Sequence, residues 1–429
     1  MRLRGSSIAL TTETRKLENG LTVVLAPDRA TPIVAVNLWY GVGSRNENVG
    51  RTGFAHLFEH MMFQGSEHVP KGHHFQLVEQ AGGTVNASTW FDRTNYFETL
   101  PAHHLDLALW LESDRMGWLL PAMDQEKLDN QRDVVRNERQ QRYDNQPYGD
   151  WDERMHALVF PHDHPYHHSV IGSMQDLARA SLSDVEEFFR TYYRPNNAVL
   201  TLAGDFDPDS AFARVERYFG ELPRGREPPP VPGKPELEPW IGRVSPARVT
   251  GQVPLPRVYL GARIPSFADP SYYAADMASS VLAAGRASRL YRRLVREQRI
   301  ARDVVAFSLP LVTGRSLLAC WITGFPGGDP DELEGALVRE LEGLVDVRSE
   351  EIERVLALAE TAHLRGLEHL STRADHLSMQ QMLFGDASRV NTEVDRLRAV
   401  TAEDVRAFAE AVLVPENRAV LTYVPGEVT

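Results

Sequence analysis

The chain has 429 residues, more than a single typical domain of roughly 100–200, and its 42% hydrophobic and 24% charged content is that of a folded globular protein. A net charge of −13 excludes a general nucleic-acid binder, which needs a cationic surface. No run approaches the roughly 18 apolar residues of a membrane span.

The N-terminal segment MRLRGSSIALTTETRKLENG is basic but lacks the apolar stretch of about 7–15 residues that a signal peptide carries, so a cytoplasmic protein is expected. GLTVVLAPD, after the Asn19-Gly20 turn, and IVAVNLWYGVG from Ile33 read as strands. GVGSRN at Gly41 lacks the third glycine of a dinucleotide fingerprint. GFAHLFEHMMFQG reads as a helix bounded by Gly53 and Gly65, in which His56 and His60 lie a turn apart on one face with Glu59 beside them. Two imidazoles at that spacing suit one Zn²⁺, with the neighbouring carboxylate as base. The rest of the helix is apolar, so three polar groups there need partners. Two satisfied core histidines and a surface glutamate remain the alternative at this point.

The doublets His73-His74 and His103-His104, and HDHPYHH from His162, read as solvated surface groups. DQEKLDNQRDVVRNERQQRYDNQPYG from Asp124 reads as a long charged helix whose apolar stripe holds Leu128, Val134 and Val135. Glu138 shares their inward side and needs compensation, from a metal or from a neighbouring arginine. Neither GxSxG nor GxxxxGK occurs, which disfavours serine and nucleotide hydrolases.

LPRGREPPPVPGKPELEPW, from Leu222 to Trp240, is too rich in proline for a helix and reads as a linker. A repeat lies across it. SDVEEFFRTYYRPNNAVLTL from Ser183 matches EDVRAFAEAVLVPENRAVLTY from Glu403: Asp184, Val185, Phe188, Pro195 and Asn197 correspond to Asp404, Val405, Phe408, Pro415 and Asn417, and AVLT follows in both after a one-residue insertion. Each copy reads as a helix capped by Ser183 or Thr401, a Pro-Asn turn and a strand. The expected architecture is α+β: two homologous domains, 1–222 and 241–429, joined by a linker 223–240, each a mixed, mainly antiparallel sheet with helices on one face. Cys320, the single cysteine, lies in the apolar run LLACWI and reads as a buried structural thiol.

HLFEH, GGTVNASTWFDRTNYFETLP from Gly82, VVRNERQQ, HPYHHSVIGS and YYRPNNAVLTLAGDFD together resemble the pitrilysin family of inverted-motif zinc peptidases, which includes the mitochondrial processing peptidases. The blocks cover most of residues 12–210, and the second copy extends the likeness over nearly the whole chain. The resemblance implies that His56, His60 and Glu138 hold one zinc ion and that Glu59 is the general base. It implies that the strand Val85 to Thr89 is a sheet edge, where an extended peptide adds as another strand against Asn86 and Ala87. It makes the chain half of a clamshell chamber around peptides or unfolded segments. Two departures stand out. Gln131 occupies a position, seven before the third ligand, that is often acidic in the family; it can still hydrogen-bond behind the ligands but cannot carry charge. In LYRRLVREQRIARDV from Leu290, Val295 and Arg302 stand where the family commonly has an arginine and a tyrosine that clamp substrate. The expected protein is therefore the zinc-bearing subunit of a pair, with a homologous partner supplying the arginine and tyrosine. A homodimer using Arg296 or Arg302 is one alternative, and a non-catalytic peptide-binding scaffold with structural zinc is another.

Overall fold

The structure, a computed structural model, describes residues 9–242 and 246–426. The expectation drawn from the N-terminal segment rests partly on residues 1–8, which lie outside the described residues.

In the first half, the strands are β1 (Glu13–Lys16), β2 (Thr22–Pro27), β3 (Ile33–Tyr40), β4 (Thr84–Thr89), β5 (Thr94–Pro101) and β6 (Ala198–Gly204). The helices are α1 (Phe54–Met61), α2 (His73–Gln80), α3 (Leu105–Trp118), α4 (Gln125–Arg139), α5 (Trp151–Val159), α6 (Met174–Arg179), α7 (Leu182–Tyr192) and α8 (Pro208–Phe219). The second half holds β7 (Ala247–Gly251), β8 (Arg257–Ile264), β9 (Ala301–Leu309), β10 (Ser316–Gly324) and β11 (Ala419–Pro425). Its helices are α9 (Tyr272–Ala283), α10 (Pro330–Glu342), α11 (Ser349–Glu368), α12 (Leu370–Phe384), α13 (Glu393–Ala399) and α14 (Ala402–Val412).

The first sheet runs β1-β2-β6-β3-β5-β4 and the second β7-β11-β8-β10-β9. Apart from β1 the two orders are the same, strand for strand. In both, the β2–β6 or β7–β11 pair is parallel and the pairs that follow are antiparallel. The repeat seen in the sequence is thus a repeat of topology, and the mixed α+β class stands.

The repeated helices begin on capping boxes. Thr401 Oγ1 accepts from Asp404 N at 3.2 Å, and Asp404 Oδ2 accepts from Thr401 N at 2.8 Å. In the first copy the cap is Ser181, not the expected Ser183: its Oγ accepts from Asp184 N at 3.2 Å, and Asp184 Oδ2 accepts from Ser181 N at 2.9 Å. The reciprocal bond fixes the cap three residues before the aspartate, which identifies Ser181 by alignment with Thr401.

The compact units are interleaved along the sequence. One comprises 1–137, 170–232 and 363–393, the other 138–169, 233–362 and 394–429. Relative to a division at the linker, each unit includes a piece from the far side. In the first unit, α1 and α3 cover the face of the sheet that bears Tyr40, Tyr96 and Glu98; Phe63 and Arg115 lie against Tyr96. The opposite face is closed by α12, whose Leu370, Ala374 and Leu377 form a core with Val24, Ala35, Trp39, Val199 and Ala203, so helices cover both faces of this sheet and not one as expected. Asp375 pins this helix: its Oδ1 accepts from Asn37 Nδ2, Trp39 Nε1 and Asn95 Nδ2 at 3.3, 2.8 and 3.0 Å. In the second unit, α5 takes the corresponding place. Trp151 stacks on Tyr259 at 5.2 Å, and a Cβ on Gly261 would come within 2.3 Å of Met155 Sδ, so a larger residue there would make the Met155 side chain shift. Cys320 is fully buried in β10, and burial pushes its thiol up to about 12, as suits an inert core residue.

Candidate metal centre

Helix α1 is fixed at its start from outside. Gly53 enters it at φ +86°, and a Cβ there would meet Ile171 O at 2.6 Å. The buried Glu47 accepts from the first backbone amides, Gly53 N and Ala55 N, both at 2.7 Å. A carboxylate there satisfies donors that a helix N-terminus leaves open and suits the positive end of its dipole. Burial pushes the Glu47 carboxyl up to about 8, opposed by those amides. Asp176 holds the preceding residue through Thr52 N and Oγ1 at 3.0 and 2.8 Å. Phe54, Ala55, Leu57, Phe58 and Met61 are buried, with the Phe58 ring 4.4 Å from that of Tyr193. Helical periodicity then leaves His56, Glu59 and His60 half-buried on the remaining arc.

Glu138 arrives on α4, whose Leu128, Gln131 and Val135 are buried while Val134 is 38% exposed. The expected stripe is therefore rotated: the inward line runs 128, 131, 135, 138. A ligand atom of His56, one of His60 and one of Glu138 all lie within 4.8 Å of one another. The two Nε2 atoms are 3.4 Å apart. Two nitrogens at roughly 2.0–2.1 Å from a tetrahedral zinc stand about 3.4 Å apart, so the imidazoles already have the spacing that the metal requires. The donor set, two imidazoles and one carboxylate, is one that catalytic zinc uses. Glu138 Oε1 also pairs with Arg142 Nη1 at 2.8 Å, so the salt bridge foreseen as an alternative partner is present as well.

Glu59 is held from the sheet, its Oε2 accepting from Thr89 Oγ1 at 2.5 Å. Thr89 closes β4, which lies at the edge of the sheet. Asn86 on that strand is exposed and Ala87 half-buried. Asn86 Oδ1 accepts from Ala87 N at 2.9 Å, so a strand docking here would have to displace the side chain from that amide. Gln131 Nε2 donates to Asn130 Oδ1 at 2.8 Å. Sequence reasoning missed Thr89, Glu47 and Arg93. Of these only Glu47 had a signal, an acidic residue just ahead of a helix start. Arg93 donates to Ser88 O at 2.7 Å; burial lowers its pKa, while Asp375, Glu59 and Asp92 favour its charge.

A second constellation was also unforeseen. His74, expected at the surface, is 6% exposed, and one ligand atom from each of His74, Glu98 and Glu112 lies within 4.8 Å of the others. Here the positive charge is already supplied. Arg115 grips both Glu112 oxygens, with Nε donating to Oε2 at 2.9 Å and Nη2 to Oε1. Burial and then the Glu112 charge hold the Glu98 carboxyl well above its ordinary value, and burial holds His74 neutral. The cluster is a neutralised buried network. His164 is likewise buried, at 3% exposed, with Nε2 3.3 Å from Pro235 O.

In the other unit, Val295 is half-buried within 291–297, and Arg296 and Arg302 are exposed. Among the described residues no helix is long and apolar enough to cross a membrane.

Residues 22–164 match the family model described as "Insulinase (Peptidase family M16)", and residues 179–358 match "Peptidase M16 inactive domain". The zinc protease PqqE of Helicobacter pylori is 32% identical over 336 residues, covering 78% of this chain and 74% of that protein. The mitochondrial-processing peptidase subunit beta of Blastocladiella emersonii is 25% identical over 427 residues, 97% of this chain and 89% of the other. Among solved structures, a protease from Helicobacter pylori superposes with a TM-score of 0.90 at 27% identity, over 97% of this chain and 100% of that one. With both models matched in order along most of its length, the chain belongs to peptidase family M16, the pitrilysin family.

Proposed function

We propose that the protein is a zinc-dependent endopeptidase acting on peptides or unfolded segments. The observation that carries this reading is the convergence of His56, His60 and Glu138 within 4.8 Å, with Glu59 on the same face of α1. His56, His60 and Glu138 would hold the metal. When bound, zinc supplies Lewis acidity, polarising a scissile carbonyl and acidifying a water. Glu59 takes the proton from the attacking water and passes it to the departing amine. The peptide lies along β4 as an added strand, aligned by the Asn86 and Ala87 backbone once the Asn86 side chain has moved aside. The arginine and tyrosine absent at Val295 and Arg302 come from a homologous partner subunit, or Arg296 or Arg302 serves in a homodimer.

Hydrolysis of a quenched, unstructured peptide by the zinc-loaded chain, with Glu59→Gln as the blank, tests the reading. Cleavage above the blank is expected on adding the partner subunit, or from the chain alone if it is self-sufficient. Glu138→Ala should lower zinc affinity by more than about 100-fold, because losing even an outer-shell partner costs roughly 10–100-fold. Arg142→Ala, which removes only the salt bridge, should change it far less. Chelator competition measures both, and equal losses would place Glu138 outside the metal's ligands.

A second reading, a peptide-binding scaffold with structural zinc, is favoured by Val295 and Arg302 at the clamp positions. It requires that no partner restores cleavage.

A further inference from the structure

The hydrogen bond from Thr89 to Glu59 joins two parts of the site that the sequence presents separately. A hydroxyl has one proton to donate. Thr94 stands opposite Thr89 in the β4–β5 ladder, and its Oγ1 is 2.9 Å from Val42 O but 3.5 Å from Thr89 Oγ1. The Thr94 proton therefore goes to the carbonyl, and the Thr89 proton goes to Glu59 at 2.5 Å. The donor itself is tightly placed. Thr89 is 9% exposed and β-branched, with few χ1 choices. The turn that follows is closed by Trp90 N donating to Arg93 O at 2.8 Å, and Arg93 Nη1 ties back to Ser88 O and Oγ at 2.7 and 2.6 Å.

We infer that Thr89 is a positioning residue of Glu59 and that it ties the base to the edge strand. The inference rests on reading Glu59 as the base and β4 as the peptide-binding strand. From Ala87 to Thr89 a strand advances only about 7 Å. A peptide registered on Ala87 is thus registered, through one rigid stretch of backbone, on the group that orients the carboxylate. A base must be held within about 0.5 Å and 10–20° of its working geometry, and a hydrogen bond from a tightly placed hydroxyl restrains the carboxylate in that way.

Thr89→Val keeps the branch and removes the hydroxyl; Thr89→Ser keeps the hydroxyl. In the zinc-loaded full chain, with its partner subunit if activity needs one, Thr89→Val should lower kcat roughly 10–100-fold while KM stays within about twofold. Zinc content and melting temperature should stay unchanged, and Thr89→Ser should recover most of the loss. Crystal structures of the three proteins give a readout independent of turnover: Glu59 should keep its position in wild type and Thr89→Ser and shift by more than about 1 Å, or spread over rotamers, in Thr89→Val. A Thr89→Val enzyme with kcat within threefold of wild type overturns the inference, as does a Glu59 carboxylate that stays in place. If wild type cleaves nothing under any of these conditions, the peptidase reading falls, and the crystallographic comparison alone decides the role of Thr89.

Discussion

Glu59→Gln should lose peptide hydrolysis by roughly 10²–10⁴-fold, the usual contribution of a positioned general base, and should still bind zinc. Glutamine has the size of glutamate, and its carbonyl oxygen can accept the hydrogen bond that Thr89 donates to Glu59 at 2.5 Å. The substitution therefore leaves the geometry and removes only the capacity to take a proton. Initial rates on a quenched peptide, set beside zinc stoichiometry, separate the outcomes. Residual turnover within tenfold of wild type would point to a different base. Loss of the metal along with turnover would make Glu59 a ligand.

The largest effect on stability is expected at Arg115. It is 1% exposed, salt-bridged to Glu112, and its guanidinium sits 4.3 Å from the Tyr96 ring centroid and 5.0 Å from that of Phe63. Arg115→Met leaves Glu112 buried without its cation and Glu98 beside it. Breaking a buried ion pair by removing one partner costs about 3–5 kcal/mol. For a unit of this size that is a fall in melting temperature of about 10 °C. Adding Glu112→Gln removes the stranded charge and should recover part of the loss. Calorimetry on both variants checks it, and a double variant no more stable than Arg115→Met would mean that packing against the rings, not charge, sets the cost.

What was legible in the sequence was local. The helix around HLFEH, the strand after Asn19-Gly20 and the Pro-Asn turns follow from periodicity and turn chemistry, and each lies where these signals place it. The repeat was legible because an aspartate that completes a capping box and an asparagine that closes a turn recur in both copies. Burial was harder. Val134 and Gln131 differ by less than one helical turn, and hydropathy favours the wrong one of the two for the inner line. His74 looks like a surface residue until α2, α3 and β5 close around it. Thr89 could not be singled out, because a threonine ending a strand is ordinary until its neighbour on α1 is known.

Least legible was the placing of α12, since an amphipathic helix does not announce which sheet it will cover. That placing bears on how the chain can be made. During synthesis the strands of the first sheet are complete by Gly204, yet the helix that covers Val24, Ala35 and Trp39 begins only at Leu370. Until then a broad apolar face has no lid of its own, and the nascent protein must be shielded or remain loosely folded while the second sheet is being translated. A fragment ending in the linker should accordingly be insoluble when expressed alone and rescued when residues 363–393 are supplied. The order of elements along the chain thus holds the first unit unfinished until almost the last of the protein has left the ribosome.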